Sequence, residues 1–302
     1  MGKVYEALKI SGAYIDAQAA RGGVGPAPKE PAAAVEPEAI NYLDYLLNGI
    51  PVIDTAAETE GGELAPVQKP VIDVARQAIV DIGSVDHGLV ANSSSDRSAV
   101  EQYNRLAVAL ISAGSQRALK RVVVGSAARG EGRTTVAVNL ACRLARSRKR
   151  VLLVDGDLHR PSIMGGLGII SELGLGEIFN WRNPGSALLA VPGFGFDLLP
   201  TRSPVANSAE VLASRPFNVA IELLGSHYDY ILFDTPPLLE SADAHLLMRI
   251  ADTMLMVIGA GELKTTQLAK ALEGLKPEDI FGVALNRARV ASSRLAMLGA
   301  GG

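Results

Sequence analysis

The sequence predicts an α/β domain with a doubly wound, mainly parallel sheet, because strand-like and helix-like segments alternate between about residues 97 and 290. Several of the strand-like segments are continuous apolar runs, which is typical of parallel strands covered on both faces by helices. The predicted strands are residues 121–125, 150–155, 196–199, 230–234, 253–258 and 281–285. The predicted helices are residues 99–113, 134–147, 208–213, 217–225, 242–250 and 264–275.

The first 95 residues have a different character from the rest of the chain. Residues 1–20 carry apolar side chains at helical spacing, and residues 22–37 are rich in Gly, Pro, Ala and Glu, which is typical of a linker. Residues 38–95 show no long period. We therefore predict three regions: an N-terminal helix with a flexible linker region at 1–95, the α/β domain at 96–290, and a short tail at 291–302.

The composition excludes several classes of protein. The 302 residues are 48% hydrophobic and carry a net charge of −3, which argues against a nucleic-acid binder with a broad basic face. The single cysteine, Cys142, allows no intrachain disulfide and indicates a reducing environment. No apolar run approaches the ~20 residues of a membrane span, and no signal-peptide core is visible. The expected location is therefore cytoplasmic.

A glycine-rich loop follows the first predicted strand and precedes a predicted helix. Backbone N–H groups at such a loop, together with the helix dipole, hold polyphosphate. Gly130 and Gly132 allow the backbone to approach a phosphate, Thr134 is placed to ligate Mg²⁺, and Thr135 is placed to donate to an α-phosphate. A P-loop of this kind requires lysine at position 133, where this chain has Arg133.

Carboxylates follow two further predicted strands. Asp155 and Asp157 come after the strand at 150–155, and Asp234 ends the strand at 230–234. Open α/β sheets bind ligands at the carboxyl ends of their strands, and Mg²⁺ prefers oxygen ligands. Asp234 suits a role at the metal, and either Asp155 or Asp157 can orient or deprotonate a nucleophile. Asn286, after the last strand, can read an adenine edge, although a lone asparagine there is equally a turn former.

These segments resemble the bacterial tyrosine kinases of capsule and exopolysaccharide synthesis, within the wider family of partition and septum-site P-loop ATPases. The second signature of that family, Asp-x-Asp-x-Arg after three apolar residues, matches at Asp155 and Asp157, with His159 at the position of the arginine. The third, Asp-x-x-Pro, matches at Asp234 and Pro237. The loop signature, Ser-x-x-Pro-Gly-Glu-Gly-Lys-[Ser/Thr]-Thr, matches at Ser126, Gly130, Glu131, Gly132, Thr134 and Thr135.

The resemblance implies ATP and Mg²⁺ as cofactors, a protein-tyrosine substrate, and a membrane polysaccharide co-polymerase or export partner that holds the chain peripherally at the inner membrane. The predicted nucleotide-binding residues are Gly130, Glu131, Gly132, Arg133, Thr134, Thr135 and Asn286. The predicted catalytic residues are Arg133, Asp155 and Asp157. The predicted metal ligands are Thr134, Asp155 and Asp234.

The chain departs from the family pattern at several positions besides Arg133. The family's oligomerisation helix reads Glu-x-x-Arg-x-x-Arg; Glu101 is kept here, but Asn104 and Ala107 replace the arginines, which predicts a monomer or a weak oligomer. The tail at 290–302 has no tyrosine, whereas the family's tail is a tyrosine cluster for autophosphorylation. The first candidates for phosphoacceptors are then the N-terminal tyrosines, Tyr5, Tyr14, Tyr42 and Tyr45.

The leading hypothesis is an ATP- and Mg²⁺-binding protein of the tyrosine-kinase type in polysaccharide synthesis or export, with catalysis weakened by Arg133. A guanidinium is larger than an ammonium, planar, and suited to two acceptors in a fork. One alternative is a non-catalytic, nucleotide-sensing adaptor that docks a membrane partner through residues 1–95. The other is a partition-type ATPase, which requires a signature lysine at position 128, where this chain has Ala128.

Overall fold

The computed structural model describes residues 76–77, 97–176, 184–261 and 263–288. The predicted N-terminal helix and the tail at 291–302 lie outside these residues, so the predicted division of the chain into three regions remains a prediction. The strands are β1 (Arg76–Gln77), β2 (Arg121–Ser126), β3 (Val151–Asp155), β4 (Leu189–Ala190), β5 (Asp197–Leu199), β6 (Tyr230–Asp234), β7 (Thr253–Gly259) and β8 (Ile280–Asn286). The α-helices are α1 (Arg97–Gln116), α2 (Arg133–Arg146), α3 (Ile163–Leu167), α4 (Ser208–Ala213), α5 (Arg215–Gly225), α6 (Asp243–Met248) and α7 (Thr265–Ala271).

The strands form one mainly parallel sheet in the order β1-β4-β5-β3-β6-β2-β7-β8. Within the described residues, only the short pair β4 and β5 runs antiparallel. The predicted α/β class with a mainly parallel sheet is therefore confirmed. Strands β1 and β4 and helix α3 were not predicted, because two residues of strand or five of helix are too short to show a period.

Helices cover both faces of the sheet, as a doubly wound fold requires. Val122 and Val124 of β2 pack in a core with α1 and α2, whereas Val123 between them packs in a second core with α5 and α6. Successive side chains of a strand point to opposite faces, so each central strand contributes to both cores. This explains why these strands appear in the sequence as unbroken apolar runs.

Helix α1 bears on the predicted assembly state. Ala107, which stands where the family pattern has an arginine, is buried in the core beside Leu110. Glu101 is exposed and forms an ion pair with Arg105, one turn away. Position 107 of α1 thus lies in the core and presents no arginine to a neighbouring molecule. The oligomeric state of the protein remains a prediction. Within the described part of the chain, no helix has the length and apolarity needed to cross a bilayer.

The central strands end together at one edge of the sheet, which we call the carboxyl edge. In the pairing of β3 with β6, Asp155 lies opposite Asp234, and β2 places Val124 on the other side of Asp234. The glycine-rich loop begins directly after β2. The topology therefore brings the three predicted ligand-binding segments to one place.

Candidate nucleotide-binding site

A cleft of about 460 Å³ opens at the carboxyl edge of the sheet. Its volume lies within the roughly 300–1,000 Å³ that is typical of small-molecule sites. The glycine-rich loop forms one wall, and residues that follow β3 and β6 form the other. The lining residues are Arg129, Gly130, Glu131, Gly132, Arg133, Thr134, Thr135, Asp157, Arg160, Pro161, Ser162, Pro237 and Arg287.

Two glycines give the loop its shape. Gly130 and Gly132 have φ values of 86° and 84°, a left-handed conformation that favours glycine. At Gly132 a Cβ atom would also overlap the side-chain nitrogen of Asn286, so both the conformation and the space require glycine. Helix α2 begins at the next residue. Its first N–H groups therefore belong to the wall of the cleft, where helix N-termini attract anions.

Glu131 and Asn286 hold the loop in place through buried or half-buried contacts. The carboxylate of Glu131 accepts hydrogen bonds from the backbone N–H of Ala128 at 2.7 Å and of Gly259 at 3.1 Å. Asn286 Nδ2 donates to the carbonyl of Glu131 at 2.9 Å. The side chain of Glu131 therefore shapes the loop and ties it to β7. The predicted contact of Asn286 with adenine remains a prediction.

Arg133 points across the site and connects its carboxylates. Its Nε donates to Asp234 Oδ1 at 3.1 Å, and one terminal nitrogen lies 3.3 Å from Asp157 Oδ2. The other terminal nitrogen donates to Ser126 Oγ at 2.9 Å. Arg133 as a whole is only 9% exposed. The guanidinium thus uses its fork on the protein's own acceptors, as its planar geometry favours.

Asp234 is shared between Arg133 and Thr134. Thr134 Oγ1 donates to Asp234 Oδ2 at 2.7 Å, while Arg133 holds the other carboxylate oxygen. Complete burial raises the pKa of Asp234, although the charge of Arg133 and the hydrogen bond from Thr134 oppose that effect. Two of the three predicted metal ligands, Thr134 and Asp234, are therefore in contact with each other, and Asp234 also contacts Arg133.

Asp155 and Asp157 occupy different environments, although two positions separate them. Asp157 is 6% exposed and lines the cleft. Asp155 is fully buried, and its Oδ2 accepts from the backbone N–H groups of Ser162 and Ile163 at 3.2 Å each. Burial, followed by the nearby charge of Asp234, raises the pKa of Asp155 well above its usual range. Of the two carboxylates, only Asp157 lines the cleft.

The residues present fit a Mg²⁺ ion. Thr134, Asp234 and Asp155 offer only oxygen atoms, which are the ligands that Mg²⁺ prefers. The Oδ1 atom of Asp155 is buried and has no hydrogen-bond partner among the described residues. A buried carboxylate oxygen without a partner is costly, and a cation or a water molecule that a cation carries would compensate for it.

Some residues that line the cleft or contact its lining were not predicted from the sequence. Ser126, the first residue of the loop signature, holds the guanidinium of Arg133 and donates to the carbonyl of Ala128 at 3.0 Å. Arg160 lines the cleft after β3, and Arg129 forms a 2.7 Å ion pair with Glu240. The match of Ser126 to the family signature was a usable signal for its role. Isolated arginines in loops carry no such signal.

A family model described as the CobQ/CobB/MinD/ParA nucleotide binding domain matches residues 122–297. The chain belongs to this family. Within it, the chain is 34% identical over 176 residues to tyrosine-protein kinase YwqD of Bacillus subtilis, a match that covers 58% of this chain and 74% of that protein. These findings confirm the resemblance to bacterial tyrosine kinases.

Further relatives extend this result. The chain is 31% identical to tyrosine-protein kinase CpsD of Streptococcus pneumoniae serotype 4 over 195 residues, covering 63% of this chain and 85% of that one. It matches tyrosine-protein kinase wzc of Salmonella typhimurium at 36% identity over 127 residues, or 42% of this chain, but spans only 18% of that longer protein.

Solved structures with the same fold include the kinase domain of the Escherichia coli tyrosine kinase ETK. It has a TM-score of 0.62 and 26% identity, and the match covers 69% of this chain and 84% of that one. The VpsO kinase domain has a TM-score of 0.55 and 29% identity, with 63% and 97% covered. The predicted P-loop fold is thereby confirmed.

Proposed function

We propose that this chain binds ATP together with Mg²⁺ in the cleft and transfers the γ-phosphoryl group to a tyrosine hydroxyl. The observation that carries the proposal is the pre-set shape of the glycine-rich loop opposite two carboxylates. Glu131 and Asn286 hold the loop from behind, and Asp157 and Asp234 lie across from it. A phosphate site whose N–H groups are positioned in advance needs little rearrangement when the anion binds.

Each predicted residue has a distinct part in this proposal. The backbone of Gly130 to Thr135 would hold the phosphates, and Thr134, Asp234 and Asp155 would hold Mg²⁺. When bound, the ion neutralises charge on the phosphate oxygens and so assists departure of ADP. Asp157, which lines the cleft, accepts the proton of the attacking tyrosine hydroxyl.

Arg133 also supports a second candidate function, that of a nucleotide-sensing adaptor without catalysis. Its guanidinium hydrogen-bonds to both Asp157 and Asp234, the carboxylates proposed to take the proton and hold the metal. While these hydrogen bonds persist, the guanidinium of Arg133 occupies the position beside the two carboxylates that a bound cation would take. The kinase hypothesis therefore requires that the guanidinium release at least one carboxylate when ATP and Mg²⁺ bind. A partition-type ATPase has no such support, since position 128 is Ala128.

We extend the proposal to a cellular setting. YwqD and CpsD, of which this chain covers 74% and 85%, are tyrosine-protein kinases, and the resemblance of this chain to the kinases of polysaccharide synthesis supports the same process here. A membrane co-polymerase or export protein would then be the partner, with this chain on the cytoplasmic side of the inner membrane. No nucleic-acid partner is proposed, because the net charge is −3.

Calorimetric titration of the full chain with ATP, with and without Mg²⁺, tests the binding step. ATP should bind more tightly with Mg²⁺, and Thr134→Ala should reduce that difference more than it reduces binding in the presence of a chelator. Thr266→Ala is the matched control, because Thr266 is likewise the second residue of a helix but lies outside the cleft. If millimolar ATP gives no heat under either condition, the proposed site is wrong.

Incubation with γ-phosphate-labelled ATP separates the two candidate functions. Label on tyrosine supports phosphotransfer. Binding of ATP without formation of ADP or phosphotyrosine, in the wild type and in Arg133→Lys alike, supports the adaptor instead.

A further inference from the structure

The tyrosines of the described domain are poorly placed to accept a phosphoryl group. The chain has seven tyrosines, and three of them lie in described segments. Tyr228 and Tyr230 are 5% and 6% exposed, and the hydroxyl of Tyr228 donates to Asp197 at 2.7 Å. Tyr103 packs against the core. If the chain phosphorylates itself, the acceptor must therefore be one of the other four, Tyr5, Tyr14, Tyr42 and Tyr45.

Two of these four tyrosines lie in a strongly acidic stretch of sequence. Residues 30–63 contain eight Asp or Glu residues and no Lys or Arg. Tyr42 and Tyr45 fall within this stretch, with Glu36, Glu38 and Asp44 next to them. The flanks of the two earlier tyrosines include lysines. The charge of the neighbouring residues therefore distinguishes Tyr42 and Tyr45 from Tyr5 and Tyr14.

The cleft opens through a surface of the opposite charge. Arg129, Arg160 and Arg287 are exposed and line it; we call these three residues the basic mouth. The guanidinium of Arg160 forms no hydrogen bond or ion pair within the described segments of the chain. Arg129 forms an ion pair with Glu240, but both side chains are exposed, so a carboxylate of another segment can replace Glu240 as the partner of Arg129. The charge of Glu240 also acts on Arg160, but without a direct ion pair. An acidic segment at the mouth would thus meet at least one arginine that no carboxylate already pairs with directly.

We propose that residues 36–45 of this chain dock at the basic mouth and present Tyr42 or Tyr45 for phosphorylation. This inference rests on the proposed function and names its substrate. The phenolic oxygen forms a bond to the γ-phosphorus of ATP, and the bond from that phosphorus to the β–γ bridging oxygen breaks. ADP leaves with the electron pair of that bond, and Asp157 takes the phenolic proton.

The length of the connection permits the segment to reach the cleft of its own chain. Tyr45 and Arg76, the first residue of β1, are 31 positions apart. A chain of that length spans at most about 100 Å. A domain of about 190 residues has a diameter of only about 40 Å. The charges then guide the segment over the last ~8 Å, the screening length at physiological ionic strength.

Peptide binding tests the docking step without any catalysis. The receptor is the full chain with Glu36→Gln, Glu38→Gln and Asp44→Asn, so that its own segment does not compete. A fluorescent peptide of residues 34–48 should bind it, and adding Arg160→Glu should weaken that binding by about tenfold, because attraction becomes repulsion. Arg249→Glu, which reverses an exposed arginine beyond the end of α6, is the matched control and should change little. Equal weakening by both variants, or no binding at all, would overturn the docking proposal.

Phosphosite mapping by mass spectrometry tests the acceptor. After incubation of the full chain with ATP and Mg²⁺, phosphate should be found on Tyr42 or Tyr45, and Arg160→Glu should reduce it. Combining Arg160→Glu with Glu36→Lys and Glu38→Lys should restore labelling, which a loss of folding would not allow. Label confined to other tyrosines overturns the inference but leaves the proposed kinase activity standing. Failure of ATP binding removes the proposed function, and the peptide experiment still decides the docking step.

Discussion

The two edges of the sheet use the same pair of residue types in opposite environments. At the carboxyl edge, the side chain of Arg133 is 10% exposed, and its partners Asp157 and Asp234 are 8% and 0% exposed. At the opposite, amino edge, Arg150 and Asp229 form an ion pair with 64% and 36% of their side chains exposed. A buried charge is stabilised mainly by its partners, whereas an exposed charge is stabilised by water and gains little from its partner.

The carboxylates of the amino edge mainly hold backbone. Asp229 accepts from the N–H of Arg150 at 2.8 Å, directly before β3 begins. Asp252 accepts from the N–H groups of Lys120 and Arg121 at 2.8 and 2.7 Å, at the start of β2. These bonds fix where the strands start. At the carboxyl edge, the side chains of Arg133 and Thr134 hold Asp234, and one oxygen of Asp155 is left without a partner among the described residues. That difference marks the carboxyl edge as the part of the sheet built for a ligand.

The largest effect is expected from removing the guanidinium at the carboxyl edge. Arg133→Met keeps most of the side-chain volume but leaves Asp157 and Asp234 buried without their cation, so it should cost about 3–5 kcal/mol of folding stability. Arg150→Met at the amino edge is the matched control and should cost less than about 1 kcal/mol. Urea denaturation of both variants measures the contrast. Equal losses would show that burial does not distinguish the two edges.

A smaller effect, on catalysis, is expected from Arg133→Lys. Lysine keeps the charge but has no fork, so it can no longer bridge Asp157, Asp234 and Ser126 at once. If the site is otherwise intact, ATP turnover should rise by about an order of magnitude, since one well-placed charge can contribute ~3 kcal/mol to a transition state. Steady-state ADP formation measures this. A fall in turnover would mean that the loop has adapted to arginine.

The contrast between the two edges also separates the features that could be predicted from the sequence from those that could not. Asp155, Asp157 and Asp234 could be placed at one edge, because apolar runs locate the strand ends that carry them. The different burial of Asp155 and Asp157 could not, because it depends on the unpredicted helix α3, whose first N–H groups hold Asp155. The direction of the Arg133 side chain could not be predicted from the sequence either, because its rotamer and its hydrogen-bond partners depend on how the strands assemble.

Gly156 shows the same limit at a single residue. In the structure, its N–H donates to the carbonyl of Asp234 at 2.8 Å, and a Cβ atom there would lie 2.8 Å from that oxygen. Close approach of β3 to β6 requires the glycine, and this reason is visible only in three dimensions.

Asp155→Asn is expected to stabilise the protein at neutral pH in the absence of metal. The folded-state pKa of Asp155 is raised, so the native protein retains a proton that the unfolded chain releases above about pH 4. The carboxylate therefore costs stability as the pH rises, and the advantage of asparagine should vanish in acid. Thermal denaturation as a function of pH measures this. A destabilised variant at neutral pH would show that the ionised group is already compensated.

The smallest effect, with the opposite sign, is expected from Asp229→Asn at the amino edge. Burial raises the pKa of Asp229, but the hydrogen bonds and charge of Arg150 outweigh this and leave the pKa below its usual value. A lowered pKa means that the ionised group stabilises the folded state above about pH 4 and that this contribution is lost as the pH falls through the folded-state pKa. Because solvent screens the exposed pair, the loss on substitution should be only about 0.5 kcal/mol at neutral pH and should shrink in high salt. The same titration series that shows asparagine gaining at position 155 should show it losing at position 229. If both positions respond with the same sign, the contrast between a ligand-binding edge and a strand-fixing edge is wrong.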